Sequence, residues 1–105
     1  MKKTSLVRRE SYITLLGWMV TDMDLKGTEL LVYAIIYGFS QTEDQRFTGS
    51  QTYLAEWTNT TKKNIRNCLT SLIEKGYIEK TEEYRNNVKF CEYVAVPVNF
   101  DKNEK

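Results

Sequence analysis

At Gly76 the hydrophobic period of the chain changes, and that change restricts the fold more than any other feature of the sequence. Before it, in TTKKNIRNCLTSLIEKG, the apolar residues Ile65, Cys68, Leu69, Leu72 and Ile73 fall at i, i+3, i+4, i+7 and i+8, one face of an α-helix. After it, YIEKTEEY and VKFCEYVAVPV are rich in β-branched and aromatic residues. They flank Arg85-Asn86-Asn87, whose asparagines tolerate the positive φ of a tight hairpin turn. Residues 60–80 therefore predict a short amphipathic helix, capped at its start by Thr60 or Thr61 and stopped by a left-handed Gly76, that runs on into a β-hairpin. Pro97 has no backbone N–H to donate, which confines the second strand to a sheet edge or ends it.

The polar side of this helix holds Lys62, Lys63, Arg66, Asn67 and Thr70, with no acid between residues 61 and 70. Cations in the first turns oppose the helix dipole, so local helix physics does not explain them. Net charge does not explain them either, since the chain carries only +1. The charges are segregated: Lys2, Lys3, Arg8 and Arg9 face the single acid Glu10 in the first ten residues, while acids gather at Asp22, Asp24, Glu43, Asp44 and Glu79 to Glu83. Seen alone, a cationic turn is an ordinary solvated face. Its meaning depends on the scaffold that carries it.

Upstream, residues 1–10 read as a flexible basic arm. SYITLLGWMV, residues 11–20, predicts a short strand near Tyr12 to Leu16, then irregular or helical chain through Gly17, Trp18 and Met19, with a helix throughout as the alternative. GTELLVYAIIYGFSQ, residues 27–41, has no charge from Leu30 to Phe39 and reads as a central helix buried on most sides, with Glu29 in its first turn and Leu25 as a hydrophobic staple. TEDQRFTG, residues 42–49, reads as a loop. SQTYLAEW opens with the N-cap residue Ser50 and makes about two helical turns, with Trp57 and either Leu54 or Tyr53 facing inward. The expected organisation is an arm at 1–10, a domain at 11–98, and a tail or linker start at 99–105.

Composition excludes several classes of function. A chain of 105 residues makes about one domain with a modest core. With no histidine, the commonest general base and the commonest metal ligand are missing, and no metal or cofactor is expected. Cys68 and Cys91 both lie in apolar patterns and read as small buried hydrophobes of a reducing compartment rather than a disulfide. Adjacent Glu82 and Glu83 point to opposite faces of a strand, and nothing sets a base beside either cysteine, so an enzyme is the weakest expectation. No run approaches the ~20 apolar residues of a membrane span, and the basic N-terminus lacks an apolar segment, which together predict a cytoplasmic protein with no membrane partner.

The two short helices between Gln51 and about Glu74 are joined by only a few residues, so the chain must bend sharply between them. Asn59 can take the left-handed conformation that such a bend requires, and Ala55 lets the second helix approach. Leu54-Ala55, Asn59 in the turn, then Ile65 and Cys68 resemble a helix-turn-helix pattern. LTSLIEKGYIEK resembles the end of the recognition helix and the first wing strand of winged-helix domains. The resemblance spans about residues 25 to 95 and implies an α+β winged helix-turn-helix: a three-helix core, a C-terminal hairpin wing and a short N-terminal strand. Lys26 stands where a serine or threonine cap is expected, and asparagine replaces the usual turn glycine. More narrowly, ELLVYAIIYGFSQ followed by RFTGSQTYLAEWTNTTKKNI resembles the N-terminal winged-helix domains of replication initiators and replisome organisers of Gram-positive bacteria, their phages and plasmids.

That resemblance implies double-stranded DNA as the partner. A recognition helix enters the major groove with its N-terminal residues at the base edges. Here those are Thr61, Lys62, Lys63 and Asn64, followed on the exposed side by Arg66, Asn67 and Thr70. Gln51 and Thr52 could offer backbone N–H groups to a phosphate. Arg85, Asn87 and Lys89 at the wing tip would touch the backbone or minor groove. Replication initiation is the expected setting, with transcriptional regulation as the alternative. A homodimer and replication proteins are candidate protein partners. The same scaffold can instead dock a protein, in which case residues near Trp18 and the N-terminal strand would matter most.

Overall fold

The computed structural model describes residues 7, 9–41, 47–48 and 50–96. Four helices precede a hairpin: α1 (Gly17–Thr21), α2 (Gly27–Phe39), α3 (Gln51–Thr58), α4 (Lys62–Glu74), β1 (Ile78–Arg85) and β2 (Val88–Ala95). This is the expected α+β winged helix-turn-helix, with α2, α3 and α4 as its three-helix core. The arm at 1–10 lies mostly outside the described residues, and the tail at 99–105 wholly so.

The break at Gly76 stands where the period predicted it. Gly76 adopts φ +80°, and the Tyr77 N–H closes back onto the Leu72 carbonyl at 3.0 Å before the chain enters β1. Asn86 and Asn87 both take positive φ (51° and 67°), the two-residue turn whose twist suits an antiparallel pair. They set the register from Arg85 opposite Val88 to Ile78 opposite Ala95.

α2 is the hub, packed against α1, α3, α4 and β2. It buries Val32, Tyr33, Ala34, Ile35 and Ile36, against which Leu54 and Ala55 of α3 and Ile65, Leu69 and Leu72 of α4 close the core. Each fully buried aliphatic side chain of this set contributes roughly 1.5–3 kcal/mol. Two residues of the α4 stripe are less covered: Cys68, expected to be buried, is half-buried, and Ile73 lies at the margin and remains 38% exposed.

Two expectations are corrected. The N-terminal strand is not formed: Ser11–Leu16 carries no ladder pairing, and α1 follows directly, burying Met19. Phe47, expected in a loop, exchanges both backbone hydrogen bonds with Tyr93 (2.7 and 2.9 Å) and is buried, so it supplies the third strand position. Trp18, raised above as a protein contact, packs edge-on against Tyr37 (5.2 Å between centroids) and Tyr33 (6.4 Å).

Candidate nucleic-acid interface

The bend between α3 and α4 is built by three local devices. Asn59 takes the left-handed conformation (φ 56°, ψ 45°), which reverses the chain without glycine. Thr58 Oγ1 donates to the Leu54 carbonyl (2.8 Å), and the Thr60 N–H donates to the Ala55 carbonyl (3.0 Å). Ala55 is buried at the approach of the two helices. Thr61 is then the N-cap of α4: its hydroxyl accepts the Asn64 N–H at 3.1 Å, which decides between the two candidate threonines.

Thr60 has its own task. Its hydroxyl accepts from Asn64 Nδ2 at 3.0 Å, so the amide of half-buried Asn64 is turned onto the bend. Of the residues expected at the base edges, Thr61 and Asn64 therefore organise the turn. Lys62, Lys63, Arg66, Asn67 and Thr70 share the exposed side of α4. Among the described residues none of these five has a side-chain hydrogen bond or ion pair.

At the start of α3, the Ser50 hydroxyl accepts the Tyr53 N–H at 3.0 Å. That satisfies one of the orphan donors of the first turn and leaves the N–H groups of Gln51 and Thr52, which have no intrahelical acceptor. Both side chains are half-buried, and Gln51 stands beside the Tyr93 phenol at the base of the wing.

The wing differs electrostatically from α4. Arg85 Nη2 bonds Glu83 Oε1 at 2.9 Å and lies 3.9 Å from Glu92 Oε2, while its guanidinium carbon sits 4.7 Å above the centre of the Phe90 ring. Lys89 is 3.5 Å and Lys80 3.1 Å from Glu82 Oε2. The hydrogen bond from Lys80 holds the Glu82 carboxyl below its ordinary pKa, and Arg85 does the same for Glu83. Asn87 occupies the second turn position. Arg85 and Lys89 are thus neutralised within the hairpin. Such exposed pairs are weak enough to be exchanged for phosphate, unlike the open charges of α4.

Glu29 could not be assigned a role from the sequence. Its Oε2 accepts from Ser71 Oγ at 2.8 Å and from Lys75 Nζ at 3.0 Å, tying the first turn of α2 to the last turn of α4. Beside it, burial first and the Glu29 charge second raise the Cys68 thiol pKa. Among the described residues, no three His, Cys, Asp or Glu side chains gather where they could hold a metal ion, and no helix is long and apolar enough to cross a membrane.

Three core helices, a sharp asparagine bend before an outward-facing helix, and a hairpin directly after it define a winged helix-turn-helix protein. A family model described as a helix-turn-helix domain matches residues 24–78, a little over half the chain, and the chain belongs to that family. No curated protein and no solved structure matches it. The family match covers α2, α3 and α4 and supports DNA binding; it stops at the first residue of β1.

Proposed function

We propose that the chain binds double-stranded DNA by laying α4 in the major groove, as the DNA-recognising module of a replication initiator or replisome organiser. The observation that carries the DNA contact is the contrast between cations. Lys75, Lys80, Arg85 and Lys89 are each partnered by an acid, whereas Lys62, Lys63 and Arg66 stand open on one helix face. Open cations on a convex helix release condensed counterions when they meet phosphates, and that supplies affinity without sequence information. The N–H groups of Gln51 and Thr52 offer a further phosphate contact, and Asn87, with Arg85 and Lys89 once their acids let go, can follow the backbone beside the groove.

The replication setting rests on the resemblance of residues 29–41 and 46–65 to replication-initiator domains. A transcriptional regulator would use the same face. In either setting a homodimer would bring two recognition helices to neighbouring half-sites, and replication proteins would be the further partners. No catalytic step is assigned to the chain.

The test is fluorescence anisotropy of a labelled random duplex at several salt concentrations. With four to six phosphates neutralised, log K should fall against log salt with a slope of about −4 to −5. A folded protein with no affinity for duplex at low salt would overturn the proposal. The second reading, a protein-docking winged helix, would then gain ground. It is favoured by an open groove of about 640 Å³ between residues 11–16, α2 and α3, lined by Tyr12, Ile13, Phe39, Tyr53 and Trp57, with Tyr12 84% exposed at its rim.

A further inference from the structure

We infer that Asn67 is the residue through which this domain reads a base, and that the base is adenine. The inference rests on the duplex-binding function proposed above and assigns that site its specificity.

Burial fixes the orientation of α4. Ile65, Leu69 and Leu72 point into the core, so with about 100° per residue the ridge farthest from it runs through Lys63, Asn67, Thr70 and Glu74. Lys62 and Arg66 flank that ridge on one side. On its other side lie Asn64 and Ser71, whose side chains are held by Thr60 and Glu29. Two asparagines in the first half of α4 thus have opposite tasks. The Asn64 amide serves the bend, and the Asn67 amide is exposed at the crest with no hydrogen bond among the described residues.

A free carboxamide at the crest matches the N7 acceptor and N6 donor of adenine, which it can engage with two hydrogen bonds at once. Lys63, about one turn toward the N-terminus, and Thr70, about one turn beyond, extend the same line. The first half of α4 presents three open cations, whereas at its far end Glu74 has no partner among the described residues and the charge of Lys75 is taken by Glu29. Phosphates therefore attract the start of the helix and repel its end, which keeps the C-terminal turn away from the backbone and centres contact on residues 63 to 70.

The experiment is selection of bound sequences from a randomised duplex pool, run with the wild-type chain and with Asn67→Ala, with circular dichroism melts to show that both fold. The wild type should enrich a site containing an adenine. Asn67→Ala should lose about tenfold or more of the preference for that adenine over the other bases, with the remaining positions still enriched. Selection of the same adenine with equal strength by Asn67→Ala, or of a wild-type site without adenine, would overturn the assignment. Loss of all duplex binding by the wild type would instead remove the DNA function itself.

Discussion

Ser71 Oγ donates a 2.8 Å hydrogen bond to Glu29 Oε2, joining α4 to a residue 42 positions earlier in the chain. The same carboxylate oxygen takes Lys75 Nζ at 3.0 Å. Both helix dipoles are served, since Glu29 stands in the first turn of α2 and Lys75 at the C-cap of α4. The contact fixes the far end of α4 against the hub helix while the asparagine bend fixes its near end. Glu29→Ala should cost about 1–2 kcal/mol, a charge-assisted hydrogen bond reduced by partial exposure, and Ser71→Ala about 1 kcal/mol, both read from urea unfolding.

Removing single cations separates the helix from the wing. Lys62→Ala, Lys63→Ala and Arg66→Ala should each lower duplex affinity and reduce the salt slope by roughly 0.9, because each releases one counterion site. Arg85→Ala should move the slope less, since its guanidinium is already paired with Glu83. Equal losses at Arg85 and Arg66 in salt-titrated anisotropy would show instead that the wing pairs open fully on binding.

The bend depends on one backbone conformation. At φ 56° Asn59 is among the few non-glycine residues that tolerate the left-handed region. Asn59→Ala should destabilise the domain by about 1 kcal/mol and Asn59→Gly should be neutral or mildly stabilising, a reversal of the usual order seen in thermal melts.

Tyr33 gives the fold a sensitivity to alkali. Its hydroxyl is buried with no hydrogen-bond partner among the described residues, and burial, reinforced by Tyr37 and Tyr77, pushes its pKa up from 10.0 to about 12. The native state then holds its proton where the unfolded chain has released it. The stability contributed is complete below pH 10 and is lost as pH rises through about 12, at roughly 1 kcal/mol per pH unit. Tyr93 is raised in the same direction, by burial first. Tyr33→Phe should therefore be neutral or stabilising at pH 7 and should move the alkaline unfolding midpoint upward; destabilisation at pH 7 would point to a partner for the hydroxyl.

Local signals carried much of the architecture. The α4 stripe, the Ser50 cap, the Asn59 bend, the Gly76 stop and the Asn86-Asn87 turn all lie within a few residues of their causes, so periodicity and turn chemistry suffice to read them, and they narrow the α4 cap to Thr60 or Thr61. The expected strand at Tyr12 to Leu16 had suitable residues and no partner. Strand formation depends on which segment reaches a sheet edge in the folded chain, and at Tyr93 of β2 that segment is Phe47. The aromatic packing is likewise a product of the fold: half-buried Trp18 meets Tyr37, nineteen residues away in the chain, edge-on at 5.2 Å.

By itself, then, the sequence determined α2, α3, α4 and the hairpin after them, the bend and turn that join them, and the clustering of three cations on one helix, because each depends on neighbours within about two helical turns. Tertiary structure alone decided that Phe47 pairs with Tyr93, that Lys89 meets Glu82 across the hairpin, and that Glu29 holds the end of α4. Those outcomes depend on which atoms meet after the chain has folded back on itself. Side-chain composition lists the groups that could pair; only packing selects the ones that do.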